Sequence, residues 1–556
     1  MTIKKISIGS SGLLNVALDL ASINYSYYDL SVYNSSGTLL GTLNTYTDGN
    51  LNFTVSSAGT YYVSVDSYFT AQYGFTLTET ASGSGTYKSD SSDNGSGRSN
   101  TSTGSVTAVA PSSNAGTAYA ISSLEKPTNG KNKYIDALAL NSQWANNDGS
   151  TGTIEITYCT VHGSDPYSIP ALNSVGDVWS ESYLDALSGA MSSWEAVTNI
   201  DFVETSNSTE ADIWYWSVDT YEFYAWHDFP ASDSYYSPET VNYSALSNLD
   251  DSTELGGYMY STLVHELGHG LGLAHPHDGG GSNGGTTFPG VKSPYSIGTN
   301  GLNQGIWTVM SYNEGWQQEP SSSSYYGDVI GPMAFDIATI QKKYGANISY
   351  ETGSNTYLLP TINASGTGWA CIWDAGGTDT ISNSGSSTGC TINLNAAPLS
   401  GLNAGGYVSW NSGISGGFTI ANGVTIENAI GGNGSDQLTG NSANNSLTGG
   451  DGSDTFIFNT KLGTSSWDTI TDFNVLDDTI WLENTGVFAA LNKVGILSTG
   501  AYYEGVAAHD KDDRIIYNSS TGSLSYDVDG SGKRAAVQFA TLTTGLALTN
   551  ADFWVI

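Results

Sequence analysis

Residues 261–278 read STLVHELGHGLGLAHPHD. His265 and His269 stand four apart, so on a helix they leave the same face and aim at one point, with Glu266 beside them. Gly272, three residues after His269, lets the chain leave the helix in a turn that a side chain would obstruct, and His275 can then swing back toward the same point. Three neutral imidazoles suit one tetrahedral Zn²⁺ and leave its fourth position to water, the arrangement of a catalytic rather than a structural zinc. Glu266 is then placed to take the proton of that water. Three of the seven histidines fall in this one pattern, which argues against solvated or structural residues; a zinc-binding pseudo-site without turnover is the other alternative. His277 lies outside the pattern and reads as a surface residue or one that supports a ligand, since a fourth protein ligand would close the site.

Working outward, SESYLDALSGAMSSWEAVTN from Ser180 places Leu184, Leu187, Met191, Trp194 and Val197 on one helical face, with Ser180 as the N-cap. DFVETS, ADIWYWSV and EFYAWHDF read as strands and a further helix begins near Tyr258, so residues 119–347 are expected to form an α+β segment of catalytic size. Upstream, two-residue alternation of Leu14, Val16, Leu18 and Leu20, of Leu30 and Val32, of Leu51, Phe53 and Val55, and of Tyr61, Val63 and Val65 predicts a small β-sandwich over residues 1–80. Ser, Gly, Thr and Asn crowd out large apolar side chains over 81–118, which reads as a flexible linker open to proteolysis.

The whole chain has 556 residues, and 16 Lys+Arg against 53 Asp+Glu leave a formal net charge of −37. That balance disfavours nucleic acid as a partner and favours multivalent cations as counter-ions. With 67 Gly, 35 Tyr and only 12% charged residues, the chain is turn-rich and strand-rich rather than a coiled coil or helical array. No run reaches membrane-spanning length, and the stretch after Lys4 and Lys5 is too broken by polar residues to serve as a signal-peptide core. The chain is therefore either cytoplasmic or exported by a route that needs no N-terminal signal. Cys159, Cys371 and Cys390 show no metal or redox spacing; Cys371 and Cys390 are either bridged in an oxidising compartment or two buried thiols.

From Gly431 the sequence reads GGNGSDQLT, GNSANNSLT, GGDGSDTFI, in which Asp436, Asn445 and Asp454 align, as do Leu438, Leu447 and Phe456. Apolar residues in register at a period of nine predict a parallel β-roll, with carbonyls of Gly432, Gly434, Gly450 and Gly452 and the carboxylates of Asp436 and Asp454 holding Ca²⁺. The middle copy lacks both the Gly-x-Gly turn and the Asp, so the first and third copies are expected to hold the ions. Further on, Asp468 and Asp472 are either ligands or exposed turn carboxylates.

The complete HExxHxxGxxH string, followed 35 residues after His275 by Met310 in TVMSYNEG, resembles the metzincin metalloproteases and, among them, the serralysins. GPMAFDIATIQKKYGAN and YIDALALNSQW resemble the closing and opening segments of the serralysin catalytic domain. The resemblance implies that Met310 is the floor beneath the zinc histidines, and that Tyr312 is both a zinc ligand and, after swinging away, a stabiliser of the oxyanion. It also implies a calcium at the junction of two domains, held by Asp374, Gly376 and Asp379 of WDAGGTDTI and by the carbonyls of Glu351, Gly353 and Asn355, Glu351 being a departure from the family. The final DFWVI resembles the C-terminal signal of type I secretion substrates. Residues 1–80 resemble the pre-peptidase accessory domains of secreted bacterial peptidases and depart from the compact serralysin layout; a spacer, a carbohydrate-binding module and a removed pro-segment are all compatible with them.

The expectation is thus a metzincin domain over 119–347, followed over 348–556 by a calcium-binding β-roll and β-sandwich domain, in a secreted, monomeric endopeptidase. One catalytic Zn²⁺, several structural Ca²⁺, protein substrates and a type I secretion apparatus are its implied cofactors and partners. Substrate is expected to lie along an edge strand, with Tyr224–Asp228 and Val241–Tyr243 as candidates. The rivals are a calcium-dependent extracellular adhesin or matrix protein with a vestigial zinc site, and a zinc hydrolase of a non-peptide ester.

Overall fold

The computed structural model describes strands within residues 2–81 and at 118–121, and then residues 132–146, 151–161, 179–206, 211–218, 225–227, 229–230, 237–242, 252–278, 286–463 and 467–556. The expected linker falls outside these residues over 82–117, as do Tyr224, Asp228 and Tyr243. In the N-terminal part the backbone forms a four-stranded and a three-stranded antiparallel sheet. Their registers set Leu14 opposite Phe53, Val16 opposite Leu51 and Leu30 opposite Val65, as period-two alternation requires of strands sharing one face.

The next region carries a five-stranded sheet in the order 200–204, 154–161, 213–218, 237–242, 225–226. All neighbouring pairs are parallel except the last, so among the described residues Ala225–Trp226 is an antiparallel edge strand. Val241 lies on a strand paired on both sides and is not an edge, which corrects that expectation. Four helices go with this sheet: α1 (Lys133–Leu138), α2 (Glu181–Val197), α3 (Tyr258–Gly270) and α4 (Ala334–Tyr344). Ser180 does cap α2, accepting the Tyr183 N–H. Leu184, however, is exposed, because Tyr183, Leu187, Met191 and Trp194 fill the buried stripe and turn it to the rim.

α2 braces α3 through the Trp194 indole, which donates to Val264 O at 3.1 Å, and through Gly189, which leaves room for the Tyr260 ring. The end of α3 is fixed from the other side: the Trp144 indole donates to Gly270 O at 2.8 Å and the Tyr344 hydroxyl to Leu271 O at 2.8 Å. Gly272 takes φ +87°, and an added Cβ there would meet Ser142 O at 2.5 Å, so the turn needs glycine for both conformation and space.

Beyond α4 the chain forms two nine-stranded sheets, between which successive strands alternate from 417–420 to 479–482. Strands 428–430, 446–448 and 468–470 run parallel in one sheet, and 437–439, 455–458 and 479–482 in the other. Leu438, Phe456 and Ile480 are adjacent in one sheet and Leu447 and Ile470 in the other, all buried between them. The last strand, Phe553–Val555, pairs with 480–482 and buries Phe553 and Val555. Trp316, whose ring centroid lies 5.3 Å from that of Trp369 and 5.1 Å from that of Trp410, joins this region to the preceding one.

All three cysteines are free thiols, so the possible bridge does not form. Cys371 and Cys390 belong to strands separated by two others in the same sheet, hence about 14 Å apart at about 4.8 Å per strand, twice the reach of a disulfide.

Candidate active site

α3 sends His265 and His269 off one face, and the Gly272 turn returns His275 to them. The Nε2 atom of His275 lies 3.2 Å from that of His265 and 3.0 Å from that of His269. Each ring has its other nitrogen engaged by an acceptor: His265 Nδ1 donates to Val309 O at 2.7 Å, His269 Nδ1 to Leu273 O at 2.9 Å and His275 Nδ1 to an Asp278 carboxylate oxygen at 2.6 Å. Those contacts fix the tautomers with the proton on Nδ1, so three Nε2 lone pairs face one another with no hydrogen between them. Such an arrangement repels unless a cation sits at its centre, and three neutral nitrogens at this spacing fit tetrahedral Zn²⁺. Burial also keeps the two rings on α3 neutral, pushing His265 down to about 3 and His269 well below the ordinary histidine range.

Glu266 is half-buried, with Oε2 shielded from solvent and accepting no hydrogen bond. Desolvation pushes its carboxyl up to about 8, opposed by the His227 backbone N–H. A carboxylate so poised exchanges protons near neutral pH. Met310 is fully buried, with Sδ only 2.6 Å from where a Cβ on Gly268 would stand, and therefore lies directly under the helix turn joining the first two histidines. The Tyr312 ring is 4.7 Å from His275 and 5.8 Å from His265, and the side chain remains 42% exposed, so it borders the histidines from the solvent side. Burial pushes its hydroxyl up to about 12, keeping it a hydrogen-bond donor. His277 is stacked on His275 at 4.8 Å and 17° with little exposure, which makes it a supporting residue rather than a surface one.

Three contributors escaped the sequence reading. Asp278 orients His275 and was detectable only as an Asp three residues beyond the third histidine. The His227 backbone supports Glu266, and its ring fills the space left by Gly270, where a Cβ would come within 2.0 Å of it. Asp336 accepts from Thr308 Oγ1 at 2.6 Å, Val309 N at 2.7 Å and Met333 N at 2.9 Å, fixing the turn whose Val309 carbonyl holds His265.

Among curated proteins, the metalloprotease AprA of Pseudomonas entomophila is 30% identical over 398 residues, covering 64% of this chain and 76% of that one. The chain belongs to the serralysin-type metalloproteases. The family model described as peptidase M10 serralysin C terminal matches residues 341–555. A serralysin of Photorhabdus laumondii is 33% identical over 298 residues, 51% of this chain and 58% of that one. Serralysin C of Dickeya chrysanthemi is 36% identical over 268 residues, 45% of this chain and 51% of that one. The chain thus spans little more than half the length of these two serralysins.

The segments expected to bind calcium, one set from the serralysin resemblance and one from the nonapeptide repeat, lie in two places. At the junction, Asp379 accepts Asn355 N–H at 2.8 Å and Asp374 accepts Gly376 N–H at 2.9 Å and the Tyr357 hydroxyl at 2.7 Å. Glu351, at φ +46°, contacts the Asn355 amide, and Gly353 O lies against Gly377. Asp379 Oδ2 and Asn355 Oδ1 are buried without a donor, oxygens of the kind Ca²⁺ takes. In the roll, Gly450 and Gly452 stack on the carbonyls of Gly432 and Gly434, and Asp436 N–H donates to Asp454, whose Oδ2 is likewise buried without a donor. Burial, reinforced by the carboxylates of Asp478, Asp436 and Asp472, pushes Asp454 up to about 7. Glu427, which accepts Asp379 N–H, and Asp478, which accepts Asp454 N–H, extend these clusters beyond the residues read from sequence. Asp468 is buried and accepts Asn445 N–H, whereas Asp472 is exposed at a bend and accepts Gly449 and Gly450 N–H.

Proposed function

We propose that the protein is a secreted zinc endopeptidase of broad substrate range, stabilised by calcium. The observation that carries this reading is the convergence of three Nε2 lone pairs beside a buried, donor-free Glu266 carboxylate oxygen. His265, His269 and His275 would hold the zinc, with Tyr312 able to approach it. When bound, that ion supplies Lewis-acid polarisation of the scissile carbonyl and a lowered pKa for water. Glu266 takes the proton of the attacking water and delivers it to the leaving amine nitrogen. The Tyr312 hydroxyl, protonated throughout the neutral range, donates to the developing oxyanion. Met310 supports the helix turn from below, and Asp278 keeps the His275 proton on Nδ1. The open edge of Ala225–Trp226 offers backbone groups to an extended peptide, which would bind many sequences because main-chain pairing carries the contact.

Residues 119–347 would constitute the catalytic domain and 348–556 a calcium-loaded roll, preceded by an accessory sandwich at 1–80 and a linker at 81–118. Glu351, Gly353, Asn355, Asp374, Gly376 and Asp379 would hold one calcium, and Gly432, Gly434, Asp436, Gly450, Gly452 and Asp454 others. The unneutralised carboxylates disfavour folding at low cytosolic calcium, which suits type I export of an unfolded monomer with DFWVI as the signal. Hydrolysis of casein by protein refolded with Ca²⁺ and Zn²⁺, beside Glu266→Ala and a zinc-stripped sample, tests the reading. Activity lost in both controls supports it; a folded, zinc-loaded chain that cleaves nothing supports the adhesin instead.

A further inference from the structure

The middle nonapeptide, residues 440–448, breaks the repeat at three positions. Asn441 stands where the flanking copies have Gly432 and Gly450, Ala443 where they have Gly434 and Gly452, and Asn445 where they have Asp436 and Asp454. Because successive strands alternate between the sheets, this turn lies on the opposite edge of the roll from those two. Its neighbours there are the turns carrying Leu394, Ile426 and Glu427.

The two asparagine amides are directed into that edge. Asn441 Nδ2 donates to Leu394 O at 3.0 Å and to Ile426 O at 2.7 Å. Asn445 Nδ2 donates to Glu427 O at 3.2 Å and to Asn441 Oδ1 at 3.0 Å. The acceptor ends are used as well: Asn445 Oδ1 accepts Asn441 N–H at 2.7 Å, and Asn441 Oδ1 accepts Ala443 N–H at 2.8 Å. Asn445 is 3% exposed and Asn441 is half-buried, so these bonds are partly shielded from water. The contrast with the other edge is chemical: there Asp454 offers a buried oxygen that no donor satisfies, whereas here carbonyl oxygens of three separate residues already receive N–H groups. Backbone carbonyls are what a calcium turn uses as ligands, and an amide NH₂ presents two positive hydrogens to them, as a cation would, while leaving no room for charge beside it.

We infer that Asn441 and Asn445 form an amide clamp that replaces a calcium ion at this turn, drawing together the carbonyls of Leu394, Ile426 and Glu427 without metal. The inference rests on the proposal that the flanking copies bind calcium. Its consequence is an asymmetric roll, in which this edge keeps its geometry when calcium is withdrawn while the Asp436 and Asp454 edge loosens. Glu427 fits the same pattern, since its side chain caps Asp379 N–H at 2.8 Å instead of facing the clamp. The remaining carboxylate at the turn, Asp468, accepts Asn445 N–H through Oδ1 at 3.0 Å.

The test compares full-length protein with two variants, counting calcium per chain by equilibrium dialysis and following thermal melting with and without EGTA. Asn445→Ala is expected to bind as many calcium ions as the parent and to melt about 5 °C lower in EGTA, from the loss of the three hydrogen bonds its side chain makes. The triple variant Asn441→Gly, Ala443→Gly, Asn445→Asp restores the flanking pattern and is expected to bind one more calcium than the parent. Loss of one calcium on Asn445→Ala, no change in its calcium-free melting, or an unchanged count in a folded triple variant overturns the inference. Should the triple variant not fold, the two Asn445→Ala readouts decide alone. Asp454→Ala tests the underlying calcium reading separately: if it leaves the count unchanged that reading fails, while the calcium-free melting of Asn445→Ala still judges the clamp.

Discussion

Gly268 lies between His265 and His269 on α3, and a methyl group added there would stand 2.6 Å from Met310 Sδ and 3.2 Å from Trp194 Cζ2. The closer contact is roughly 1 Å short of an ordinary packing distance of about 3.5–4.0 Å. Neither neighbour can retreat easily, since Met310 and Trp194 are both fully buried. Overpacking at such a site costs about 1–3 kcal/mol, and the helix propensity gained by Gly→Ala returns about 1 kcal/mol. Gly268→Ala is therefore expected to lose up to about 2 kcal/mol, a fall of up to roughly 8 °C in the melting temperature. The strain is relieved most readily by a shift of α3, which carries His265 and His269 away from His275, so zinc affinity should fall about tenfold in competition with a chromophoric chelator. Adding Met310→Ala opens the space the methyl needs, and the pair should cost less than the sum of the single changes. A Gly268→Ala protein that melts above the parent with unchanged zinc affinity would refute the reasoning, because it is the behaviour of an unobstructed helical glycine.

Other consequences are open to measurement. Asp278→Ala should weaken zinc binding about 10–100-fold without lowering the melting temperature of the calcium-loaded roll, as read by equilibrium dialysis beside calorimetry. Lys343, whose ammonium donates to Leu140 O and Ser142 O, is pushed by burial down to about 7 from 10.5. Between those values the unfolded chain holds a proton that the folded chain has released, so stability should rise with pH from 7 toward 10.5, by at most about 1.4 kcal/mol per unit. Urea melts at pH 7.5 and 9.5 should show that rise in the parent and a flatter profile in Lys343→Met. Reducing agent should leave melting unchanged, since Cys371 and Cys390 are unbridged; a downward shift would contradict the strand order that separates them.

The helix and turn that gather His265, His269 and His275 were legible because a four-residue step and an obligatory glycine determine direction from local geometry alone. The alternation of Leu438, Leu447 and Phe456 was legible for the same reason, a period of nine tying each apolar residue to a turn. What escaped depends on contacts between distant segments. Asp336 holds the Val309 turn from 27 residues away, and nothing in its surroundings distinguishes it from an ordinary helix-capping aspartate. The exposure of Leu184 follows from Tyr183 competing for the same stripe, a matter of packing volume rather than period. The separation of Cys371 from Cys390 is set by two intervening strands, which spacing along the chain does not encode.

The most direct test of the central claim is a zinc titration of chelator-stripped, calcium-loaded protein, with turnover of a quenched fluorescent peptide followed at each addition. Activity should be absent at the start, rise linearly and reach its plateau at one zinc per chain, while Glu266→Gln binds the same single zinc and stays at least about a hundredfold slower. Peptide cleavage that persists in the stripped protein, or one bound zinc with no turnover in the parent, would contradict it.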